Sequence, residues 1–357
     1  MSKSTLEMAR DLLAMNIYPV PVKAGTKMPP MAGWPDLRLT IDDLPTHFSN
    51  GNSLGLLLGI KPRPICDVDL DCPEALAVAR MFEHPKTDRI SGRASSRNSH
   101  YFFELPEEFD SEKFEDPILK KQKQRATIIE LRGPGGQTVV PPSMHESGER
   151  RHWEREGEFG VTTHAELSKW VRKTGAAALL IRYWPRGHET RFALAGMLGR
   201  AGWNEKEAVE FVSAVVRIAQ PENREAKAEV RNTYEQLKQG EESFGRPKLI
   251  ELLGEHGKLI VRTVIKWLGI EQSSSGLITN DDGTIKPIVA NAITMLKTTP
   301  CWEGVLAYNE LTLFVEKLKP APWEDYGGSA WLDHDDIKLT EYFQRRGLFI
   351  NSSRQAA

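Results

Sequence analysis

The sequence has little cysteine, no long apolar run and almost no net charge. Its three cysteines, Cys66, Cys72 and Cys301, are too few and too scattered for a disulfide framework, and no Cys/His spacing supports a four-ligand zinc site. No apolar stretch approaches the roughly 18 residues needed to cross a bilayer. The chain is therefore expected to be cytoplasmic, with no membrane partner. Lys plus Arg number 47 against 49 Asp plus Glu, a formal charge of -2. That balance excludes a wholly basic nucleic-acid-binding protein but leaves room for a local positive channel. Also missing is any GxxxxGK[ST] phosphate loop, which excludes an autonomous P-loop ATPase, and no internal repeat is present.

What is there is a chain of 357 residues, 40% hydrophobic and 27% charged, with 28 Gly and 22 Pro, long enough for two or three folded units. Apolar residues at helical spacing predict a helix over 3–16, ended by Pro19 and Pro21. Segments 52–60 and 64–70 read as strands around a turn with Lys61, Pro62 and Arg63. Further strands are predicted at 100–103 and 126–131, short β pieces at 139–140 and 151–154, and a helix over 73–83. This alternation is an α/β unit closing near residue 160.

From 165 to 270 the pattern turns helical, with helices predicted at 191–198, 205–219 and 222–237, punctuated by Gly202 and Pro221. The window 171–240 holds 12 Lys or Arg against 8 Asp or Glu, which suits either a phosphate backbone or ordinary solvated helices. Residues 271–287 are polar and Gly/Ser-rich, as in a linker. Beyond them, 290–296 and 311–318 are predicted helices in a small, surface-rich unit with Pro322, Trp323, Trp331 and the acidic run Asp333, Asp335, Asp336. The expected layout is thus an α/β domain at 1–165, a small all-helical domain at 166–270, and a linker with a mostly helical segment at 271–357.

Asp67 and Asp69 in CDVDLD stand two apart on a predicted strand, so both carboxylates share one face. Two hard oxygen donors can hold Mg²⁺ or Mn²⁺, although such pairs also occur on acidic surface turns. Asp71 has the same parity, but Cys72 and Pro73 follow at once, as in a turn or helix cap. His100 opens an aromatic strand and is either a packed polar ring or a functional one. Arg89, Ser91, Arg93, Ser95, Ser96, Arg97 and Ser99 make the approach to it flexible, basic and hydroxyl-rich, suited to a triphosphate. Glu130 ends an apolar strand just before Arg132, as a salt-bridge partner or a ligand. Ser143 adds a hydroxyl after the Pro141-Pro142 turn, with His145 and Trp153 nearby. Tyr18, Lys27, Pro29 and Trp34 form a second basic and aromatic patch, for a base or for packing.

Taken together, Asp67, Asp69 and Glu130 are the candidate metal ligands, and His100 the group that engages an incoming nucleotide. Arg93, Arg97, Ser99, His100, Arg132 and Ser143 are the candidate nucleotide contacts. The same Asp, Asp, Glu and His set also fits a metal-dependent nuclease. A non-enzymatic replication-origin binding or scaffold protein is the third reading.

The set CDVDLD at 66–71, SGRASSRNSHYFF at 91–103, IIELRG at 128–133 and VVPPS at 139–143 resembles the primase-polymerase domain of the archaeo-eukaryotic primase superfamily, found in phage and plasmid replication proteins. The resemblance covers roughly residues 5–160. It implies an α/β catalytic domain of the archaeo-eukaryotic primase type and template-dependent DNA synthesis from nucleoside triphosphates with Mg²⁺ or Mn²⁺. Single-stranded DNA template and primer are the implied partners. Asp67 and Asp69 match the family's first acidic motif, His100 the histidine of its small-x-His motif, and Glu130 the acid of its third. Asn98 departs from the small, often Gly, residue expected two positions before that histidine.

VRNTYEQLKQG at 230–240 and GRPKL at 245–249 look like the primase C-terminal helical domain. Residues 278–350, with DDGTIKPIVANAITML, YNEL and PWEDYGG, resemble the segment before the helicase core of virulence-associated protein E-like replication proteins. Without a phosphate loop, the chain is expected to be a shortened form or to work with a separate replicative helicase.

Overall fold

A capping box starts the first helix: Ser4 accepts from the Glu7 backbone while the Glu7 carboxylate accepts from the Ser4 backbone. The stripe Met8, Ala9 and Leu12 then turns α1 (Thr5–Ala14) onto the core. The computed structural model describes residues 3–49, 51–185, 187–239, 243–270, 277, 285–311, 313–324 and 329–349. After α1 come β1 (Pro19–Val22), α2 (Leu44–Phe48), β2 (Ser53–Leu57), β3 (Ile65–Leu70), α3 (Pro73–Val78), β4 (Arg89–Arg93) and β5 (Ser96–Glu104). Next are β6 (Glu112–Glu115), α4 (Pro117–Lys121), β7 (Thr127–Arg132), β8 (Gln137–Val139), β9 (His152–Glu156) and β10 (Gly160–Val161).

These strands form two sheets. One has three strands in the order β1-β2-β8; the other has seven, in the order β6-β7-β3-β5-β4-β9, with β10 added parallel to β5. Neighbours along both orders are antiparallel. The strands β2 and β3, adjacent in sequence, therefore lie in different sheets.

Strand β3 is central, with β5 on one side and β7 on the other. Its even residues Cys66, Val68 and Leu70 share a core with Tyr101, Phe103, Ile129, Leu131 and the helices beyond. On the opposite face Ile65 packs with Leu12, Leu54, Phe102 and Val140 in a second core. Asp67 and Asp69 continue that same face, past the end of its apolar cover.

Helix α5 (His164–Arg182) opens with another capping box, Thr163 and Glu166. It is followed by α6 (Glu189–Arg200), α7 (Glu205–Ala219), α8 (Ala226–Lys238), α9 (Arg246–Leu252) and α10 (Gly257–Leu268). Trp170 of α5 is buried against Tyr101 and Phe103, with ring centroids at 5.4 and 6.4 Å, and its Nε1 donates to the Ala79 carbonyl at 3.0 Å. The helices thus share one core with the seven-stranded sheet, and the compact unit is Met1–Ile270.

The second unit is Glu271–Ala357. Its described elements are α11 (Val289–Thr298), β11 (Leu306–Asn309), β12 (Phe314–Lys317), β13 (Ser329–Ala330) and α12 (Asp333–Arg345), the strands forming one antiparallel sheet. The helix expected over 311–318 is instead a hairpin arm. Asn309 Oδ1 accepts from the Leu311 backbone at 2.9 Å, Leu313 takes a left-handed φ of 59°, and Leu311 is 96% exposed. Here the apolar residues stay outside, while Lys317 is buried and pairs with Asp335 at 2.9 Å. Among its described elements the two helices are longer than the three short strands, so a small antiparallel sheet is added to a mostly helical unit. The linker expected at 271–287 lies, apart from Leu277 and residues 285–287, outside the described residues. No described helix is long and apolar enough to cross a membrane.

Candidate active site

Register sets the site. On β3, Asp67 stands opposite Phe102 of β5 and Arg132 of β7, and Asp69 stands opposite His100 and Glu130. Directly paired residues point to the same side of a sheet, so two strand-end carboxylates, an imidazole, a third carboxylate and a guanidinium meet on one face.

Asp67 is fully buried and already engaged. Arg132 Nη2 donates to its Oδ2, and also reaches Asp69 Oδ2 at 3.2 Å and Thr138 Oγ1 at 2.9 Å. His100 Nδ1 lies 3.3 and 3.2 Å from the two Asp67 oxygens and 3.5 Å from Asp69 Oδ1. Burial pushes the Asp67 carboxyl up, but the Arg132 charge and His100 overcome it and hold the group below the usual aspartate value. For Arg132, burial pulls down, Asp67 and Asp69 push up, and the carboxylates win.

The carboxylates that converge are Asp69, Asp71 and Glu130: each offers an oxygen, and these oxygens lie within 4.8 Å of one another. Asp71 follows β3 directly, and its backbone N–H donates to the Ile128 carbonyl at 3.0 Å, which carries the strand's parity one residue further. Burial and the neighbouring Asp69 raise the Asp71 carboxyl above its ordinary value, against the pull of Arg125 at 2.7 Å. Lys113 sits 3.0 Å from Glu130. Three hard oxygen donors of this kind fit Mg²⁺ or Mn²⁺, with positions left for water or phosphate oxygens. Of the three expected ligands, Asp69 and Glu130 are in this group, while Asp67 lies behind it, bound to Arg132 and His100.

Asp69 and Asp71 form one wall of an open cleft that encloses about 60 Å³. Five cations line it, Lys27, Arg93, Arg125, Arg132 and Arg151, together with neutral residues that include Ser99 and Gln137. Arg93 is held by Glu149 at 3.1 Å. Ser99 Oγ is buried without a hydrogen-bond partner. Two other expected nucleotide contacts lie elsewhere. Arg97 does not line the cleft; its guanidinium is 68% exposed and grips Glu154. Ser143 is buried, its Oγ accepting from the Leu54 backbone at 2.7 Å and donating to the Leu54 carbonyl at 3.2 Å, which ties the turn to β2.

The approach to His100, expected to be flexible, is a β-hairpin. Arg93 pairs with Ser96 across the two-residue turn Ala94-Ser95, and Glu149 fixes that turn by accepting from the Ser95 backbone at 2.8 Å. Asn98 takes a left-handed φ of 53°, the conformation a glycine supplies most easily and that Asn tolerates better than most residues. Asparagine therefore keeps the local shape despite its departure from the expected small residue.

Five titratable cleft residues, Lys27, Asp71, Arg125, His145 and Arg151, were not among the expected ligands or contacts, and Arg125 carried no sequence signal at all. For Asp71 the signal was its shared parity with Asp67 and Asp69. For Arg151 no sequence signal pointed to the cleft, because the strand it precedes, β9, pairs with β4 at the far end of the sheet order.

Among curated proteins, no match to the chain is found. Residues 9–181, a little under half of the chain, match the family model of the bifunctional DNA primase/polymerase N-terminal domain. The matched span contains the whole cleft, from Lys27 to Arg151, and supports a DNA replication function of the primase/polymerase type for this part of the chain.

Proposed function

We propose that the chain is a template-dependent DNA primase-polymerase that transfers nucleotides from nucleoside triphosphates to a 3′-hydroxyl. The observation that carries this reading is the meeting of Asp69, Asp71 and Glu130 with a cation-lined cleft inside the matched span. An acid cluster alone suits many metal proteins. The adjoining guanidiniums add what a triphosphate needs, a wall of donors facing a polyanion.

Asp69, Asp71 and Glu130 would hold Mg²⁺ or Mn²⁺, which when bound lowers the cost of bringing hydroxyl and phosphate oxygens together. Asp67 keeps Arg132 and His100 in place from beneath. Arg132 offers positive charge beside the carboxylates, and Arg93, oriented by Glu149, offers it at the hairpin. Ser99, with an unpartnered hydroxyl, has a donor to spare for a phosphate oxygen. Single-stranded template and primer would run past this cleft. The helices at 166–270 are our candidates for template handling, and residues 278–350 for contact with a separate helicase.

The test is extension of a labelled primer on a single-stranded template with Mg²⁺ or Mn²⁺. Asp69→Asn and Glu130→Gln should each abolish incorporation while leaving the thermal transition in place. Normal incorporation by both variants overturns the reading. Cleavage of the strands without incorporation would turn it towards a nuclease.

A further inference from the structure

Helix α10 carries charge of one sign. It holds Lys258, Arg262 and Lys266 and no Asp or Glu, whereas α5 to α9 each contain at least one Glu. The three cations recur every fourth residue, about 6 Å apart along the helix axis, and so form one stripe. All three are exposed, while Gly257, Ile260, Val261 and Val264 face the core on the other side.

The stripe is also unpaired. Among the described residues no carboxylate lies within ion-pair distance of Lys258, Arg262 or Lys266. On the neighbouring helices Arg172 pairs with Glu112 at 2.8 Å, Lys173 with Glu210 at 3.0 Å, Arg191 with Glu229, Arg231 with Glu205 at 3.7 Å and Lys238 with Glu235 at 2.7 Å. With Arg182, six of the 12 cations in the 171–240 window are thus neutralised within the fold. Like charges four residues apart repel and weaken a helix, which a solvated face ordinarily relieves with Glu at the same spacing. Helix α10 has none, and a polyanion laid along the stripe would relieve the repulsion instead. No large apolar side chain of α10 is exposed, so the face offers charge without the apolar anchor that a protein partner uses.

The helix also stands where a strand could reach the chemistry. Trp267, next to Lys266, meets Phe114 of β6 edge to face, with ring centroids 5.3 Å apart. Strand β6 leads into α4 and the loop after it, where Lys121 and Lys123 are exposed and likewise without a described carboxylate partner. The next cation, Arg125, lines the cleft and pairs with Asp71 at 2.7 Å.

We infer that the exposed face of α10 is a track for a nucleic-acid phosphodiester backbone, continued by Lys121 and Lys123 towards the cleft. The inference rests on the primase-polymerase reading above, and it narrows template handling from the helices at 166–270 to one helix face. Its ligand chemistry, a run of phosphodiesters, is shared by a single strand and a primer-template duplex. Contacts of this kind are independent of sequence, and the salt dependence of binding counts them.

The experiment is fluorescence anisotropy of the full chain with a labelled single strand and with the duplex of the same length, over a salt series in EDTA. Lys258→Gln, Arg262→Gln and Lys266→Gln combined should weaken binding roughly tenfold or more and reduce the slope of log K against log salt by about 2 for the single strand, or by about 2.7 for the duplex. Lys121→Gln with Lys123→Gln should reduce it by about two-thirds as much. Removing the same charge from α7 and α8, as Lys206→Gln, Arg217→Gln and Lys227→Gln, should leave the slope nearly unchanged. The ligand-free transition temperature of the α10 variant should not fall, because no ion pair is lost. Whichever of the two nucleic acids shows the larger loss is the form the track holds. An unchanged slope in the α10 variant, an equal fall in the α7 and α8 variant, or a wild type that binds neither nucleic acid overturns the inference. Should the wild type incorporate no nucleotide while its binding still depends on α10, the polymerase reading fails and the track stands. Incorporation by the wild type, together with binding that ignores α10, leaves the reading and removes the track.

Discussion

Asn98 and Asp71 are the residues at which the site departs from a plain strand. The hairpin is tight: a Cβ on Gly92 would come within 2.7 Å of the Ser96 carbonyl and 2.8 Å of the Asn98 nitrogen. Asn98 meets that geometry with a φ of 53°, which an ordinary side chain adopts at a cost of about 1 kcal/mol. Asn98→Gly is therefore expected to leave stability almost unchanged, and Asn98→Ala to lose about 1 kcal/mol, read by chemical denaturation. Asp71 works in the opposite sense. Its carboxyl is raised by burial and by Asp69, so it protonates more readily folded than unfolded. The ionised form thus opposes folding above the ordinary aspartate value of 3.8, and the penalty disappears as pH falls below it. Asp71→Asn should make the metal-free protein more stable at pH near 7, with the gain closing in acid. The same variant should lose the rise in transition temperature that Mn²⁺ gives the wild type. Its lost partner Arg125 is mostly exposed and contributes little. A metal-free Asp71→Asn protein less stable than wild type at neutral pH would show the carboxylate to be a structural ion-pair partner instead.

Polar ties hold elements to one another, and Arg182 at the end of α5 makes one of them. It forks onto Glu74 of α3 at 3.0 and 2.9 Å and reaches Asp116, the N-cap of α4, at 2.9 Å. Asp116 is fully buried; it also accepts from Tyr183 at 2.8 Å and from the Ile118 backbone at 2.9 Å. Arg182→Met strands a buried carboxylate and should cost about 3 kcal/mol, a drop of roughly 6–12 °C in transition temperature. Combining it with Asp116→Asn should recover part of that loss, because the uncompensated charge is gone. Such ties are invisible in sequence, since residues 74, 116 and 182 share no local pattern. What sequence did carry was local. The apolar runs of β3 and β7, the helix over 3–16 and the helices from 191 onwards follow from periodicity, and Asp69 and Glu130 follow from their place at strand ends. Missed were features that depend on pairing between distant segments: the separation of β2 from β3, the hairpin before His100, the place of Arg151, and the exposed hairpin at 311–318, where apolar residues imitate a helix. Ser143 was misplaced for a related reason, because its hydroxyl serves a backbone 89 residues away.

Across the whole molecule, near neutrality comes from placement as much as from number: within the cleft, Arg93, Arg125 and Arg132 each face a carboxylate, and their charges cancel locally. The larger consequence concerns where the chain can be cut. A split after residue 165 would separate the sheet from α5, yet Leu167, Val171 and Leu179 are fully buried in the core shared with Val68, Phe103 and Leu131. Burying three such side chains stabilises by roughly 5–9 kcal/mol in total. That is as large as the net stability of a typical domain, about 5–15 kcal/mol. The 1–165 fragment should therefore lack a cooperative thermal transition and bind a hydrophobic dye. The 1–270 fragment keeps the whole shared core, and should melt cooperatively and retain primer extension. Any division of primer initiation from extension is then to be sought by substitutions on the outer faces of α6 to α10, not by deleting them. A soluble 1–165 fragment with a sharp transition would show that the helical layer is a separate domain after all.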